Sequence, residues 1–315
     1  NRKIRLVTED IFKLKKEDLF KDPNDQIVFL ENIRFYKEEE KNDTKFAQHL
    51  AKFADLYVND AFSCSHRAHA SVSKITEFLP SFAGLQLETE ISALKKVTTE
   101  IKKPITCIIG GSKISTKIEL LQNLISKVEH IIIGGGMANT FLVASGKKIG
   151  KSLSEPSLTH IAKDIMKRAN KLGCKIHLPL DVITSKSLDD TKKTTSSDVD
   201  NCPADEMIFD CGEKSLEKYF KVVDLSKTIV WNGPLGVFEK EPFHLGTEKL
   251  GKYIVEKTDN GLINSVAGGG DTVAALNKYN LSHKISYLST AGGAFLEWLE
   301  GKKLPGLEAL EIRLG

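Results

Sequence analysis

Five times along this chain a short apolar run ends in glycine, and that recurrence limits the fold more than any other feature of the sequence. Ile105–Ile109 runs into Gly110-Gly111, and His130–Ile133 into Gly134-Gly135-Gly136. Thr228–Trp231 precedes Asn232-Gly233-Pro234, Asn264–Ala267 precedes Gly268-Gly269-Gly270, and Ile285–Leu288 precedes Ser289–Gly293. Lys175–Leu178, before Pro179 and Asp181, predicts a sixth strand. A helical pattern usually follows each run. Near-continuous apolar strands alternating with helices imply a parallel sheet covered on both faces. The glycines fall at the carboxyl ends of strands, the edge where open α/β sheets bind ligands. A bare turn needs one glycine at positive φ. Runs of two and three predict backbone lying close to a ligand, with amides free to donate.

Ile114, Ile118, Leu121, Ile125 and Val128 recur at steps of four and three, which predicts a helix with one buried stripe and Ser112 as its N-cap. Ser157–Leu172 reads as a second helix closed by Gly173, and the polar Thr191–Val199 as a surface loop. Before residue 80 the texture differs. Gln26–Leu30 and Leu56–Val58 are strand candidates. Thr44–Ala54 is a helix with Phe46, Leu50, Phe53 and Ala54 on one face. This is α/β again, with too few strands for a closed core. Leu85–Val97 predicts a helix joining the two regions. At 315 residues the chain is comfortable as two domains.

Composition narrows the function classes. With 41% hydrophobic and 28% charged residues the balance is globular, and no apolar stretch is long enough to span a bilayer as a helix. Asn1-Arg2-Lys3-Ile4 has no signal-peptide character. The net charge of +3 is small and the lysines are interspersed with acids, which argues against nucleic acid as a partner. Five dispersed cysteines without a CxxC pair fit a reducing cytoplasm.

Several constellations carry chemistry. Lys113 and Lys117 are four apart at a helix start, where cations are disfavoured unless an anion sits between them and the Gly110-Gly111 turn. They are equally compatible with a solvated face in a lysine-rich chain. Gly268-Gly269-Gly270-Asp271-Thr272 opens another helix. Asp271 either caps it or also holds a metal that bridges nucleotide oxygens. Asn232-Gly233-Pro234 with Glu239 meets a ribose or faces water. Arg34 and Arg67 suit a phosphate or carboxylate clamp, or ordinary ion pairs. Cys64, His66 and His69 have no standard zinc spacing. Gly146–Ser152 has one residue too few for a P-loop, and no GxGxxG occurs.

Taken together and in order, these strings resemble the phosphoglycerate kinase family along essentially the whole chain. They are Leu30-Glu31-Asn32-Ile33-Arg34-Phe35, Tyr57–Phe62 with His66–Ser71, Gly110–Lys117, Ile133–Ala138, Trp231–Glu239, Gly268–Thr272 and Glu300–Gly306. The resemblance implies two doubly wound parallel-sheet α/β domains, the N-terminal one incomplete. Their bounds would be a partial phosphoglycerate-binding domain over 1–82, an interdomain helix over 83–98, a nucleotide-binding domain over 99–293, and a segment over 294–315 returning to the first domain. It implies a cytoplasmic, monomeric glycolytic kinase. The enzyme would move a phosphoryl group between 1,3-bisphosphoglycerate and ADP, giving 3-phosphoglycerate and ATP, with Mg²⁺ and by closure of two domains.

Residue by residue, Arg34 and Arg67 resemble the arginines that hold the glycerate phosphate. Lys113 and Lys117 resemble the nucleotide-side lysines, with Lys117 nearest the transferred group. Gly111, Gly135 and Gly136 match the nucleotide site and its adenine wall, Asn232 and Pro234 the nucleoside contacts, and Glu239 the ribose ligand. Gly269, Gly270 and Thr272 match the phosphate cradle, with Gly270 catalytic beside the two lysines and Asp271 on Mg²⁺. Three departures stand out. The family's opening Arg-x-Asp-x-Asn and His-Leu-Gly-Arg motifs, and the arginine held most important for transfer, are not in this sequence. It therefore reads as beginning partway through the first domain, and the chain as given reads either as the kinase or as a fragment that only binds nucleotide. Ser63 stands where the family usually has Gly, and Ala291 replaces the first Gly of the usual Ser-Thr-Gly-Gly-Gly.

Overall fold

The computed structural model describes residues 4–20, 26–99, 102–289, 294, 297 and 302–311. The chain divides into two compact units, Asn1–Ser92 with Glu297–Gly315, and Ala93–Leu296.

The first unit holds two parallel strand pairs, β1 (Arg5–Val7) with β2 (Val28–Leu30) and β3 (Tyr57–Asn59) with β4 (Ser81–Ala83). Short helices α1 (Lys16–Leu19) and α2 (Lys37–Glu40) precede α3 (Thr44–Ala51). Asp43 starts α3 by accepting the Phe46 amide at 2.8 Å. Phe46, Ala47 and Leu50 then pack with Val7, Ile11, Leu19, Ile75 and Leu79 as the core of this unit. The helix stops at Ala51, short of the expected Ala54. The amides of Lys52 and Phe53 reach back three residues to His49 and Leu50, tightening the last turn and leaving Ala54 exposed. Helix α4 (Leu85–Thr99) follows Gly84, whose neighbour Asp60 accepts the Leu87 amide at 2.9 Å.

In the second unit the elements run β5 (Ile105–Ile109), α5 (Ile118–Leu124), β6 (His130–Ile133), α6 (Gly135–Ala144), α7 (Thr159–Lys171), β7 (Lys175–His177), β8 (Asp181–Ser185), β9 (Thr195–Asp198) and β10 (Met207–Cys211). They continue with α8 (Glu213–Leu225), β11 (Thr228–Asn232), α9 (Leu245–Asp259), β12 (Asn264–Gly268), α10 (Gly270–Lys278) and β13 (Tyr287–Ser289). Six strands form one parallel sheet in the order β13-β12-β11-β5-β6-β7. All five residues of β5 are buried, as in a strand covered on both faces. One face carries Ile108, Ile132, Ile229, Trp231 and Ala267 into a cluster with Leu216, Tyr219, Leu250 and Ile254 of α8 and α9. From β5 the chain builds outward one way through β6 and β7 and the other way through β11, β12 and β13. The switch point therefore lies between β5 and β11.

A smaller antiparallel sheet, order β10-β8-β9, is missing from the sequence expectations. The span 191–199 is not simply a surface loop, because β9 lies within it and pairs with β8. A polar strand is tolerable here because the Glu206 carboxylate accepts both Thr184 Oγ1 (2.5 Å) and Thr195 Oγ1 (3.2 Å), joining the two strands. The last described helix, α11 (Pro305–Glu311), belongs to the first unit, where the Gly306 amide donates to the Ser65 carbonyl at 2.9 Å. Most of the Ser289–Gly293 turn, including Ala291, lies outside the described residues.

Candidate functional site

The glycine loops after β5, β6 and β11 meet at the switch point and pack on one another. The Gly110 amide donates to the Asn232 carbonyl (2.8 Å), Gly135 to Leu235 (2.7 Å) and Met137 to the Gly111 carbonyl (2.9 Å). Gly135 and Gly233 have φ of 68° and 103°, which only glycine adopts readily. A Cβ on Gly135 would lie 2.6 Å from the Gly111 oxygen, and one on Gly233 would lie 2.7 Å from the Gly110 Cα. The glycines at 135 and 233 thus serve backbone-on-backbone packing. Gly270 differs, because a methyl there would meet no atom within 4 Å.

Beside these loops lies a cavity of about 370 Å³, the scale of a small-molecule pocket. Gly111, Gly135, Gly136, Pro234, Glu239 and Asp271 all line it, so the fold brings together residues spread over 160 positions of sequence. Its walls are largely apolar, with Leu153, Met207, Phe209, Leu235 and Phe238 among them. Sequence reading missed this wall, although the run Met207–Cys211 before Gly212 carries the same strand-then-glycine signal as the others. Asp210, also in the lining, is 2% exposed and accepts the amides of Gly246 (2.7 Å) and Cys211 (2.9 Å). Burial pushes its carboxyl up to about 7 against those hydrogen bonds.

Lys113, Lys117, Asn232, Gly269, Gly270 and Thr272 are not in the cavity lining. Lys113 and Lys117 do not share a helix face. Lys113 is extended and exposed, Ile114–Thr116 form a 3₁₀ turn, and α5 begins only after Lys117. Ser112 caps nothing here. The amide of Ser115 in that turn is taken instead by the Glu155 carboxylate at 3.0 Å. Hydrogen bonds from Ser115 hold the Glu155 carboxyl below its usual range, with Lys113 adding to the effect. Lys117 Nζ donates to Asn232 Oδ1, and Asn232 Nδ2 donates to the Gly268 carbonyl at 2.7 Å.

Helix α10 is capped by Gly269, φ 98°, so Asp271 is its second residue and not its cap. That leaves the Asp271 side chain exposed on the cavity lining. Thr272 is buried, and its Oγ1 accepts the Gly233 amide at 2.7 Å, tying the β11 loop to the start of α10.

The first unit gathers a separate cationic group. Arg34 Nη2 lies 3.8 Å from Cys64 Sγ, and Arg67 Nε donates to His66 Nε2 at 3.2 Å. Both arginines are exposed. Burial lowers the His69 pKa, and the charges of Arg34 and Arg67 lower it further against the pull of Glu39. Glu39, 1% exposed, accepts the Ser71 amide (2.9 Å) and hydroxyl (2.6 Å), fixing the loop that carries Arg67. Among the described residues no three His, Cys, Asp or Glu side chains converge to hold a metal ion.

Residues 1–302 match the family model for phosphoglycerate kinase. The chain belongs to the phosphoglycerate kinase family. That family is one of phosphotransferases. The chain is 48% identical over 311 residues to the phosphoglycerate kinase of Chelativorans sp. strain BNC1, covering 99% of this chain and 78% of that protein. It is 51% identical over 285 residues to the Zymomonas mobilis phosphoglycerate kinase, covering 90% and 72%. Among solved structures, the phosphoglycerate kinase of Coxiella burnetii superposes with a TM-score of 0.84 at 40% identity, covering 99% of this chain and 78% of that one. The Pyrococcus horikoshii enzyme gives 0.83 at 28% identity, covering 99% and 79%. Among the described residues no helix is long and apolar enough to cross a membrane.

Proposed function

We propose that the chain transfers a phosphoryl group between 1,3-bisphosphoglycerate and ADP, with the nucleotide on the second unit and the glycerate on the first. The observation that carries this reading is the convergence of Gly135, Gly136, Pro234, Glu239 and Asp271 on one apolar-walled cavity in a chain of this family. In that reading the base lies against Gly135, Gly136 and the wall around Leu235, and Glu239 accepts from the ribose. Asn232 and Pro234 shape the nucleoside side. The phosphates reach the start of α10, where the amides after Gly269 point outward, and the helix dipole favours anions. The open ground at Gly270 suits this, since no protein atom fills it.

Mg²⁺ is the metal such a site would take. One exposed carboxylate, Asp271, fits an ion that keeps much of its shell from water and nucleotide oxygens. Bound there, it would screen charge on the transferred group. Lys117, held by Asn232, and the more exposed Lys113 supply positive charge on the nucleotide side. Arg34 and Arg67 hold the glycerate phosphate as guanidinium donors.

Transfer then requires the two ligands to be brought in line, with water excluded so that the acyl phosphate is not hydrolysed. We assign this step to domain closure. We also assign the protein to the cytoplasm as a monomer. Calorimetric titration of Mg-ADP tests the nucleotide half. Saturable binding, weakened in Asp271→Ala and Lys117→Ala, supports it, and folded protein that takes up no nucleotide refutes it.

A further inference from the structure

Two histidines at the β7 edge of the six-stranded sheet have no part in the site above. His130 opens β6 and His177 closes β7. The parallel register sets Ile132 opposite His177, two residues beyond His130, so both imidazoles project from one face of the sheet. The ring centroids are 5.2 Å apart, and His130 Nδ1 lies 3.1 Å from His177 Nε2. Both side chains are partly open to solvent.

We propose that this pair is a binding site for a divalent transition-metal cation that prefers imidazole, such as Zn²⁺, Cu²⁺ or Ni²⁺. Imidazole nitrogen binds zinc at about 2.0–2.1 Å. Two nitrogens 3.1 Å apart therefore subtend roughly 98° at a common ion. That angle lies between the right angle of an octahedral or square-planar site and the tetrahedral angle. In the metal-free form one ring donates its N–H to the other. On coordination that proton moves to the far nitrogen of its own ring, so both lone pairs face the ion with no net proton release. Burial keeps both rings in the neutral, ligating form near pH 7, with Lys218 and Lys175 reinforcing the effect at His177.

The charged groups around the pair are Glu129, Lys175 and Lys218. The Glu129 carboxylate is taken by the Ile105 amide (2.8 Å) and Lys103 Nζ (2.9 Å), and Lys218 Nζ donates to the Leu178 carbonyl at 3.2 Å. Among the described residues no set of three His, Cys, Asp or Glu converges on a metal position, so water fills the remaining coordination sites. Two nearby ammonium groups oppose any cation that approaches the pair. The site therefore selects ions that gain from nitrogen ligation, and Mg²⁺, which favours oxygen, is refused.

The test is a titration of ZnCl₂ into the nucleotide-free chain at neutral pH in a non-chelating buffer, followed by calorimetry and by imidazole ¹⁵N signals. Wild type is expected to bind zinc saturably with both His130 and His177 ring signals shifting, and Mg²⁺ is expected to leave them unmoved. His130→Asn and His177→Asn are each expected to weaken zinc at least tenfold. Since the ring signals are read in wild type, a variant that fails to fold does not block the test. Ring signals that zinc leaves unmoved, or a saturable event that survives both substitutions, overturn the proposal.

Discussion

Thr272→Val isolates one hydrogen bond at the centre of the site. The substitution keeps the side-chain shape and removes only the oxygen that accepts the Gly233 amide at 2.7 Å. Thr272 is 1% exposed, so no water replaces the lost partner and the Gly233 N–H is left buried and unsatisfied. Such an orphan costs about 1–3 kcal/mol. For a unit the size of Ala93–Leu296, melting falls roughly 2–4 °C per kcal/mol. A drop of about 2–12 °C is therefore expected by calorimetry or circular dichroism. On the proposed function the hydroxyl hydrogen donates to the phosphate of a nucleotide seated at the start of α10. A hydrogen bond to a charged group contributes about 1.5–3 kcal/mol, so the Mg-ADP dissociation constant should rise at least about tenfold. Thr272→Ser keeps both interactions and should restore both readouts. A valine variant that melts within about 1 °C of wild type would refute the reasoning, because the bond would then be contributing nothing.

Four further expectations follow from the site and from the first unit. Gly270→Ala should leave stability unchanged or raise it by up to about 1 kcal/mol, since alanine is the better helix residue and meets open space, yet it should weaken nucleotide binding. Gly135→Ala should instead lower folding stability measured by urea unfolding, because its methyl meets the Gly111 oxygen at 2.6 Å and φ is 68°. Asp210 titrates near 7 when folded, against about 3.9 unfolded, so between those values the folded state holds the extra proton and stability falls as pH rises. The stability of Asp210→Asn relative to wild type should therefore grow from pH 5 to pH 8 in urea titrations, and a constant difference would contradict the assignment. Arg34→Ala and Arg67→Ala should each weaken 3-phosphoglycerate binding several-fold with no change in Mg-ADP affinity, and added salt should weaken the wild type in the same direction.

The six-stranded sheet was legible because most of its strands are apolar nearly end to end and five of the six run into a glycine turn. β9 was not, because Thr195–Asp198 is polar, and the side-chain link across its pair with β8 comes from Glu206, a residue with no signal of its own. Lys113 and Lys117 show a different limit. Four-residue spacing implies a shared face only if the helix has already begun, and here a 3₁₀ turn intervenes. Asp271 was misplaced by two positions for a similar reason, because Gly269 in a positive-φ conformation takes the cap. The apolar wall of the cavity was readable in Met207–Cys211, but the burial of Asp210 within it was not, since nothing local distinguishes a buried carboxylate from a solvated one.

The central claim is phosphoryl transfer from an acyl phosphate to a nucleotide held at the α10 edge. The most direct measurement is ATP formation from 1,3-bisphosphoglycerate and ADP by the purified chain, with and without Mg²⁺, alongside Asp271→Ala. The expected result is ATP formation that requires Mg²⁺ and falls by orders of magnitude in the variant. Folded protein that binds both ligands but forms no ATP, or turnover that Asp271→Ala leaves unchanged, would contradict it.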